Sequence, residues 1–242
     1  FRHEQLDTYK AQRKPIDEDL KVQLPLARDY LKAMGIFFYE LDGYEGDDIA
    51  GSVAKQFGSK NNIETHIYTS DKDYLQLIDD NISIEMIKKG LSDIETMNEE
   101  SLKEKMGLTP SQIRDFKGLM GDPSDNLPGI PGIGEKTASA LIARFHSIEN
   151  MREHQEEITP ARARNAFTGN YELAELSKKL AAIKTDCELD FTLEQAKLEN
   201  LFTPEAYEWV KRLEFKSMLS RFATEDILAQ KANEQHLNGL LL

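Results

Sequence analysis

Between Gly121 and Ile142 the chain reads GDPSDNLPGIPGIGEKTASALI, a run that few folds can hold. Gly132 and Gly134 bracket Ile133 ahead of Glu135-Lys136-Thr137-Ala138, so the backbone turns tightly and leaves unpaired N–H groups at a helix start. Such a helix start attracts an anion. Asp122 and Asp125, just upstream, would repel that anion unless a cation stood between them. The run predicts a metal site beside a phosphate site. Apolar-Pro-Gly-apolar-Gly followed by Lys, small residues and an apolar stripe is also the pattern of a helix-hairpin-helix. Gly132, Gly134, Lys136 and Thr137 suit contact with DNA phosphates, which carry little sequence information. A plain glycine turn between packed helices is the ordinary alternative.

The surrounding pattern is α/β. Apolar residues recur at helical spacing from Glu18 to Met34 (Leu20, Leu24, Ala27, Leu31) and Gly35 ends that run. IFFYEL, 36–41, reads as a buried parallel strand. A helix follows with Ile49, Val53 and Phe57 on one face, then the strand ETHIYTS, the helix start DKDYLQLI, and a hairpin turning near Gly90. Strand, acid loop and helix, repeated, is the alternation of a parallel sheet, with the acids at the strands' carboxyl ends, where open α/β sheets bind ligands. Beyond residue 100 the pattern is helical. Thr109-Pro110-Ser111-Gln112 is a capping box opening a helix to about Met120. Residues 162–186 read helical and basic, and PEAYEWVKRLEFKSMLSRF reads helical with Trp209, Leu213 and Phe215 in its core. The expected division is an α/β core over 1–108 with a basic helical start, a helical DNA-binding region over 109–222, and a linker over 223–242.

Glu45, Asp47 and Asp48 form one acid cluster, Asp71 and Asp73 another. Each alone has an ordinary explanation, since acids favour a helix's first turn and Asp71 stands at an N-cap position. Together, at successive strand ends, they would raise one another's pKa, a cost that divalent cations relieve. Oxygen ligands with no His-Cys spacing indicate Mg²⁺ or Mn²⁺ over zinc. A pair of such ions roughly 4 Å apart is a clamp for phosphodiester hydrolysis. No serine, cysteine or histidine nucleophile competes; His66 and Ser70 read as ordinary strand-end residues.

Lys10, Arg13 and Lys14, beside Tyr9, are either a solvated face or a seat for a nucleic acid end, with phosphates on the cations and a base on the ring. Arg162, Arg164, Lys178 and Lys179 are weaker signals of the same kind. The net charge of −13 argues at first sight against a polyanion partner, but a metal-dependent nuclease must gather acids at its centre, so distribution decides. No apolar run reaches membrane-spanning length and nothing at the start reads as a signal peptide. Cys187, the single cysteine, cannot form an internal disulfide and indicates a reducing compartment, with cytoplasm the default.

In this order and spacing, YEGDDIAG, TSDKDYLQL, KGLMGDPSDNLPGIPGIGEKTA and AIKTD resemble the 5′-nuclease domains of bacterial DNA polymerase I, in the flap endonuclease superfamily. The resemblance covers nearly the whole chain to about Phe222. It implies a Mg²⁺-dependent 5′-3′ exonuclease and flap endonuclease of primer removal and repair, monomeric, acting on duplex DNA with a 5′ flap, nick or end. Glu45, Asp47, Asp48, Asp71 and Asp73 match the family's metal-binding acids, and Asp122 and Asp125 match the aspartates that complete the site. Lys10 and Arg13 match the basic helix that guides the displaced 5′ strand, and are the implied catalytic cations. The family also binds a monovalent cation, usually K⁺, at the hairpin, and often carries a polymerase domain downstream. Departures accompany the match. The family begins with a strand bearing a metal-binding aspartate, and a second strand ending in Phe-Asp precedes the segment equivalent to Phe1; neither is in this sequence, so a core lacking its first strands is expected. Gly46 stands where alanine is common. The alternative reading is a truncated, non-catalytic, structure-specific DNA-binding fragment. A carboxylate-rich phosphatase is a third class, disfavoured because small phosphoesters need no duplex grip.

Overall fold

The computed structural model describes residues 2–90 and 92–222, so the expected linker at 223–242 lies outside the described residues. In chain order, α1 (Arg2–Gln5), α2 (Glu18–Lys21), α3 (Gln23–Ala33) and α4 (Gly46–Val53) precede a sheet of β1 (Thr65–Thr69), β2 (Ile82–Lys89) and β3 (Asp93–Met97). Helices α5 (Glu99–Met106), α6 (Ile113–Met120), α7 (Glu135–Phe145), α8 (Ile148–Glu153), α9 (Ala161–Gly169), α10 (Tyr171–Leu180), α11 (Pro204–Arg212) and α12 (Lys216–Leu219) follow. No helix among the described residues is long and apolar enough to cross a membrane.

The chain divides into two compact units, one made of the residues up to Arg13 with Leu41–Leu189, the other of Lys14–Glu40 with the described residues from Asp190 onward. In the first unit β1 pairs in parallel with β2, Ile67 opposite Ile84, and β2 turns back antiparallel onto β3. The sheet is therefore mixed. Ile82 and Ile84 are buried, and one core continues from them through Leu102, Phe116 and Leu119 to Leu141 and Ile142. Local chemistry sets the helix starts. Thr109 and Gln112 form the expected capping box, the Thr109 N–H donating to Gln112 Oε1 at 2.9 Å. Asn98 caps α5 in the same way, and Gly107 ends it in the left-handed region at φ 67°.

Several expected elements differ. DKDYLQLI forms only a short 3₁₀ helix, Lys72–Leu77, and the helical run expected over 162–186 breaks at Asn170 and ends at Leu180. In the second unit the helix expected over 18–34 is interrupted at Val22, and Leu20 and Leu24 are exposed, with burial centred on Tyr30 and Ala33. Those two residues, with Met34, pack against Ala206, Val210 and Phe222. Trp209 and Leu213 join this core, whereas Phe215 is exposed, its ring edge-on to Tyr30. The strand expected over 36–41 is absent. Its rings are satisfied by other rings: Phe37 and Tyr39 each lie 4.8 Å from Phe191.

Candidate active site

The acids of α4 are arranged by its N-terminus. Glu45 is the N-cap and Asp48 reaches back to its N–H at 3.2 Å. Asp48 is fully buried, and Arg2 meets it with a two-pronged contact, 2.7 Å at each oxygen, while also donating to the carbonyls of Leu180 and Ala182. Burial alone would raise the Asp48 carboxyl. The Arg2 guanidinium and the Lys184 N–H outweigh it, so Asp48 is held below the usual carboxylate range. Asp47 has no such partner among the described residues, and burial, with Asp48 beside it, pushes it up.

A second group forms where residues 6–13 lie along the loop that opens the glycine-rich run. The Lys10 N–H donates to the Asp125 carbonyl at 3.0 Å, and Asn126 Nδ2 donates to the Thr8 carbonyl at 2.7 Å. This docking brings Lys10 Nζ to 2.5 Å from Glu45 and Arg13 Nη2 to 2.7 Å from Asp125. Lys10 stands on turns, with φ at 55°, and not on the expected basic helix. Tyr9 also departs from expectation. Its ring is 2 % exposed, packed with Leu127, Leu180 and Ala181, so it offers no face to a base; its hydroxyl lies 3.2 Å from Glu45 and 3.3 Å from Asp125. Lys14 is exposed and belongs to the other unit.

The third group is centred on Lys117, buried between Asp73 and Asp122. Burial lowers its ammonium, and the two carboxylates more than offset that, holding it above the ordinary range. Asp122 accepts from both the N–H and the hydroxyl of Ser124. Burial would raise it, and Lys117 with Ser124 keeps it low. Asp73 goes the other way: burial dominates and its carboxyl is pushed up to about 6. Its Oδ1 lies 2.5 Å from Lys117 Nζ, an ion pair that lowers the carboxyl by less than burial raises it. Asp71 caps the turn by accepting the Asp73 N–H at 2.9 Å.

Among the described residues, no three His, Cys, Asp or Glu groups are disposed to hold a metal ion together. The predicted carboxylates are instead drawn onto Arg2, Lys10, Arg13 and Lys117. Asp47 and Asp71 are the exceptions. With Lys10, Arg13, Glu45 and Tyr74 they line a cavity of about 420 Å³, and neither is ion-paired among the described residues. His66 contacts Glu85 and Ser83 on the sheet, in keeping with a structural residue.

Beyond the acids, the chain doubles back on itself. Asp122 and Leu127 form a two-residue bridge, and Gly121 packs backbone to backbone on Gly129. Gly132 follows at φ 87°, and Gly134 is the N-cap of α7, whose first turn has no side-chain cap. Lys136 is exposed and Thr137 half-buried in that turn.

The description "5′-3′ exonuclease, N-terminal resolvase-like domain" matches residues 1–107, and "5′-3′ exonuclease, C-terminal SAM fold" matches residues 108–203. The chain belongs to the 5′-3′ exonuclease family. DNA polymerase I of Bacillus caldotenax is 40 % identical over 91 % of this chain, and that of Bacillus subtilis 37 % identical over 96 %. The chain spans about a quarter of the length of these curated relatives, 25 % and 26 %. A solved structure of the T5 5′-exonuclease with divalent metal ions (zinc) bound shares the fold, with a TM-score of 0.62, 21 % identity and coverage of 95 % of this chain and 79 % of that one. The catalytic core of Rad2 in complex with DNA substrate does so at a TM-score of 0.56 and 15 % identity, covering 87 % and 70 %.

Arg2 and Lys117 escaped the sequence reading. The Arg2–Asp48 contact joins residues 46 apart, and no local pattern announces it. Lys117 precedes Asp122 by only five positions, so its place at the head of the acid run was a usable signal.

Proposed function

We propose that this chain is a metal-dependent 5′-3′ exonuclease and 5′-flap endonuclease module, hydrolysing DNA phosphodiester bonds in primer removal and repair. The observation that carries the reading is the cavity lined by Asp47 and Asp71, neither ion-paired among the described residues, together with Lys10 and Arg13. Acids with no ion pair among the described residues and cations on one hollow suit a ligand that is itself a cation–anion pair, a metal ion on a phosphate. The donor chemistry fits a hard divalent ion: every candidate ligand is a carboxylate. Asp47 and Asp71, which line the cavity, would supply ligands to such ions, Mg²⁺ or Mn²⁺, with Glu45, Asp48, Asp73, Asp122 and Asp125 as the further carboxylates of the proposed set. When bound, paired divalent ions supply Lewis acidity to the phosphate and a water of lowered pKa.

The chain's own residues do the rest. Lys10 and Arg13 hold phosphate oxygens at the mouth of the cavity, orienting the strand to be cut. Arg2 and Lys117 fix Asp48, Asp73 and Asp122 in place and limit their mutual repulsion. Gly132, Gly134, Lys136 and Thr137 grip duplex phosphates without reading sequence, with K⁺ at the hairpin as part of the same reading. The resemblance to relatives named DNA polymerase I supports a polymerase domain downstream in the parent protein. A monomer in the cytoplasm completes this reading.

The test is cleavage of a labelled 5′-flap duplex in Mg²⁺. Asp47→Asn/Asp71→Asn is expected to slow cleavage by at least roughly 100-fold, as loss of metal-held electrostatic stabilisation does, while leaving DNA binding equal or tighter. Parental turnover by that variant rejects the assignment. A second reading, a DNA-binding fragment without catalysis, draws on the lack of a three-carboxylate cluster among the described residues. Tight flap binding with no cleavage in Mg²⁺ or Mn²⁺ would select it.

A further inference from the structure

Arg162 lies in the first turn of α9, outside the glycine hairpin in sequence and against it in space. A methyl group placed on Gly132 would stand 3.8 Å from Arg162 Nη2 and meet nothing else within 4 Å among the described residues. The guanidinium therefore occupies the space beside the bare backbone that precedes Gly134 and α7. Arg164 and two cations of other helices are engaged. Arg164 contacts the Glu156 carbonyl at 3.1 Å and its carboxylate at 3.4 Å, and Arg144 takes Glu157 at 3.2 Å. Lys178 is bound to Asp115 and Glu149, at 2.7 and 2.8 Å. Arg162 has neither ion pair nor hydrogen bond among the described residues, and the same holds for Lys136 in the first turn of α7.

We propose that Arg162 is a second cationic arm of the hairpin, holding a backbone phosphate of the duplex alongside the Gly132–Gly134 backbone and Lys136. The inference deepens the reading above and rests on it for the duplex itself. Its chemistry follows from the two side chains. A planar guanidinium presents parallel N–H donors that fit two phosphate oxygens at once, whereas Lys136 supplies a point charge. With no side chain on Gly132, the fork and the backbone amides can face the same phosphate. The bland alternative is a solvated surface arginine, which would contribute nothing measurable to DNA affinity.

The experiment measures fluorescence anisotropy of a nicked duplex oligonucleotide, in metal-free buffer, over a range of NaCl concentrations. Arg162→Ala is expected to weaken binding about ten-fold and to lower the log-affinity against log-salt slope by about 0.9, the loss of one phosphate contact. Arg162→Lys recovers the slope with only part of the affinity, and Arg164→Ala, already paired with Glu156, behaves as the parent. Far-UV circular dichroism and thermal melts accompany each variant. A parental slope for Arg162→Ala, when Lys136→Ala has lost its share, overturns this inference and leaves the hairpin reading standing. If neither variant changes the slope, both fall. Arg162→Glu with parental affinity would also reject the arm.

Discussion

Asp48 stays ionised in a fully buried place because Arg2 is buried with it. Removing one member of such a pair leaves a charge without a counter-charge, a loss of about 3–5 kcal/mol, whereas replacing both by apolar groups is far milder. Arg2→Met should therefore destabilise the chain by several kcal/mol in urea titrations, and Arg2→Met/Asp48→Leu should lie closer to the parent. The pH dependence has a definite sign. A carboxyl held below its unfolded value contributes stability that is present above the ordinary carboxylate pKa and lost as pH falls through the folded value. The deficit of Arg2→Met is thus greatest near neutrality and shrinks in acid, where Asp48 takes up a proton. A deficit independent of pH would show that Arg2 acts by packing alone. This pair also marks how far the sequence could be read at the residue scale. The acids were legible because helix starts and strand ends gather them locally; their cations were not, because Arg2 reaches Asp48 only through the fold.

The glycine-rich run was legible as an element because its demands are local. Gly121 sits at φ 73°, and a Cβ there would lie 2.6 Å from the Leu127 carbonyl, so both conformation and space require glycine. Gly121→Ala is expected to cost about 2 kcal/mol or more, read from urea midpoints at constant m. Gly46 is the contrast. At the first position of α4 a Cβ meets nothing within 4 Å, and Gly46→Ala should stabilise by about 0.5 kcal/mol through the unfolded chain. Equal effects at the two positions would contradict this account. The apolar run at 36–41 shows where local reading fails. A short hydrophobic stretch bounded by turn residues has the same pattern whether its backbone pairs in a sheet or its rings pack on a distant ring, and Phe191 decided the matter from far along the chain.

At the scale of the molecule, a net charge of −13 coexists with a site whose acids are mostly neutralised by the chain's own cations. That compensation lets the acids stand together without metal, but leaves Asp47 and Asp71 on the cavity wall with no ion pair among the described residues. An ion that binds only the folded state stabilises it by RT ln(1 + [L]/Kd), about 2.7 kcal/mol at a hundredfold excess over Kd. For a chain of this size each kcal/mol moves Tm by roughly 2–4 °C, so saturating Mg²⁺ should raise the thermal midpoint by at least about 5 °C. The overall negative charge complicates a simple titration, because any salt relieves self-repulsion to some degree. The informative comparison is therefore Mg²⁺ against NaCl at equal ionic strength, with EDTA reversing the difference. Asp47→Asn/Asp71→Asn should abolish the Mg²⁺-specific increment while keeping the response to NaCl. A parent whose Tm responds identically to both salts would mean that the cavity holds no divalent ion, and the nuclease reading would lose its metal.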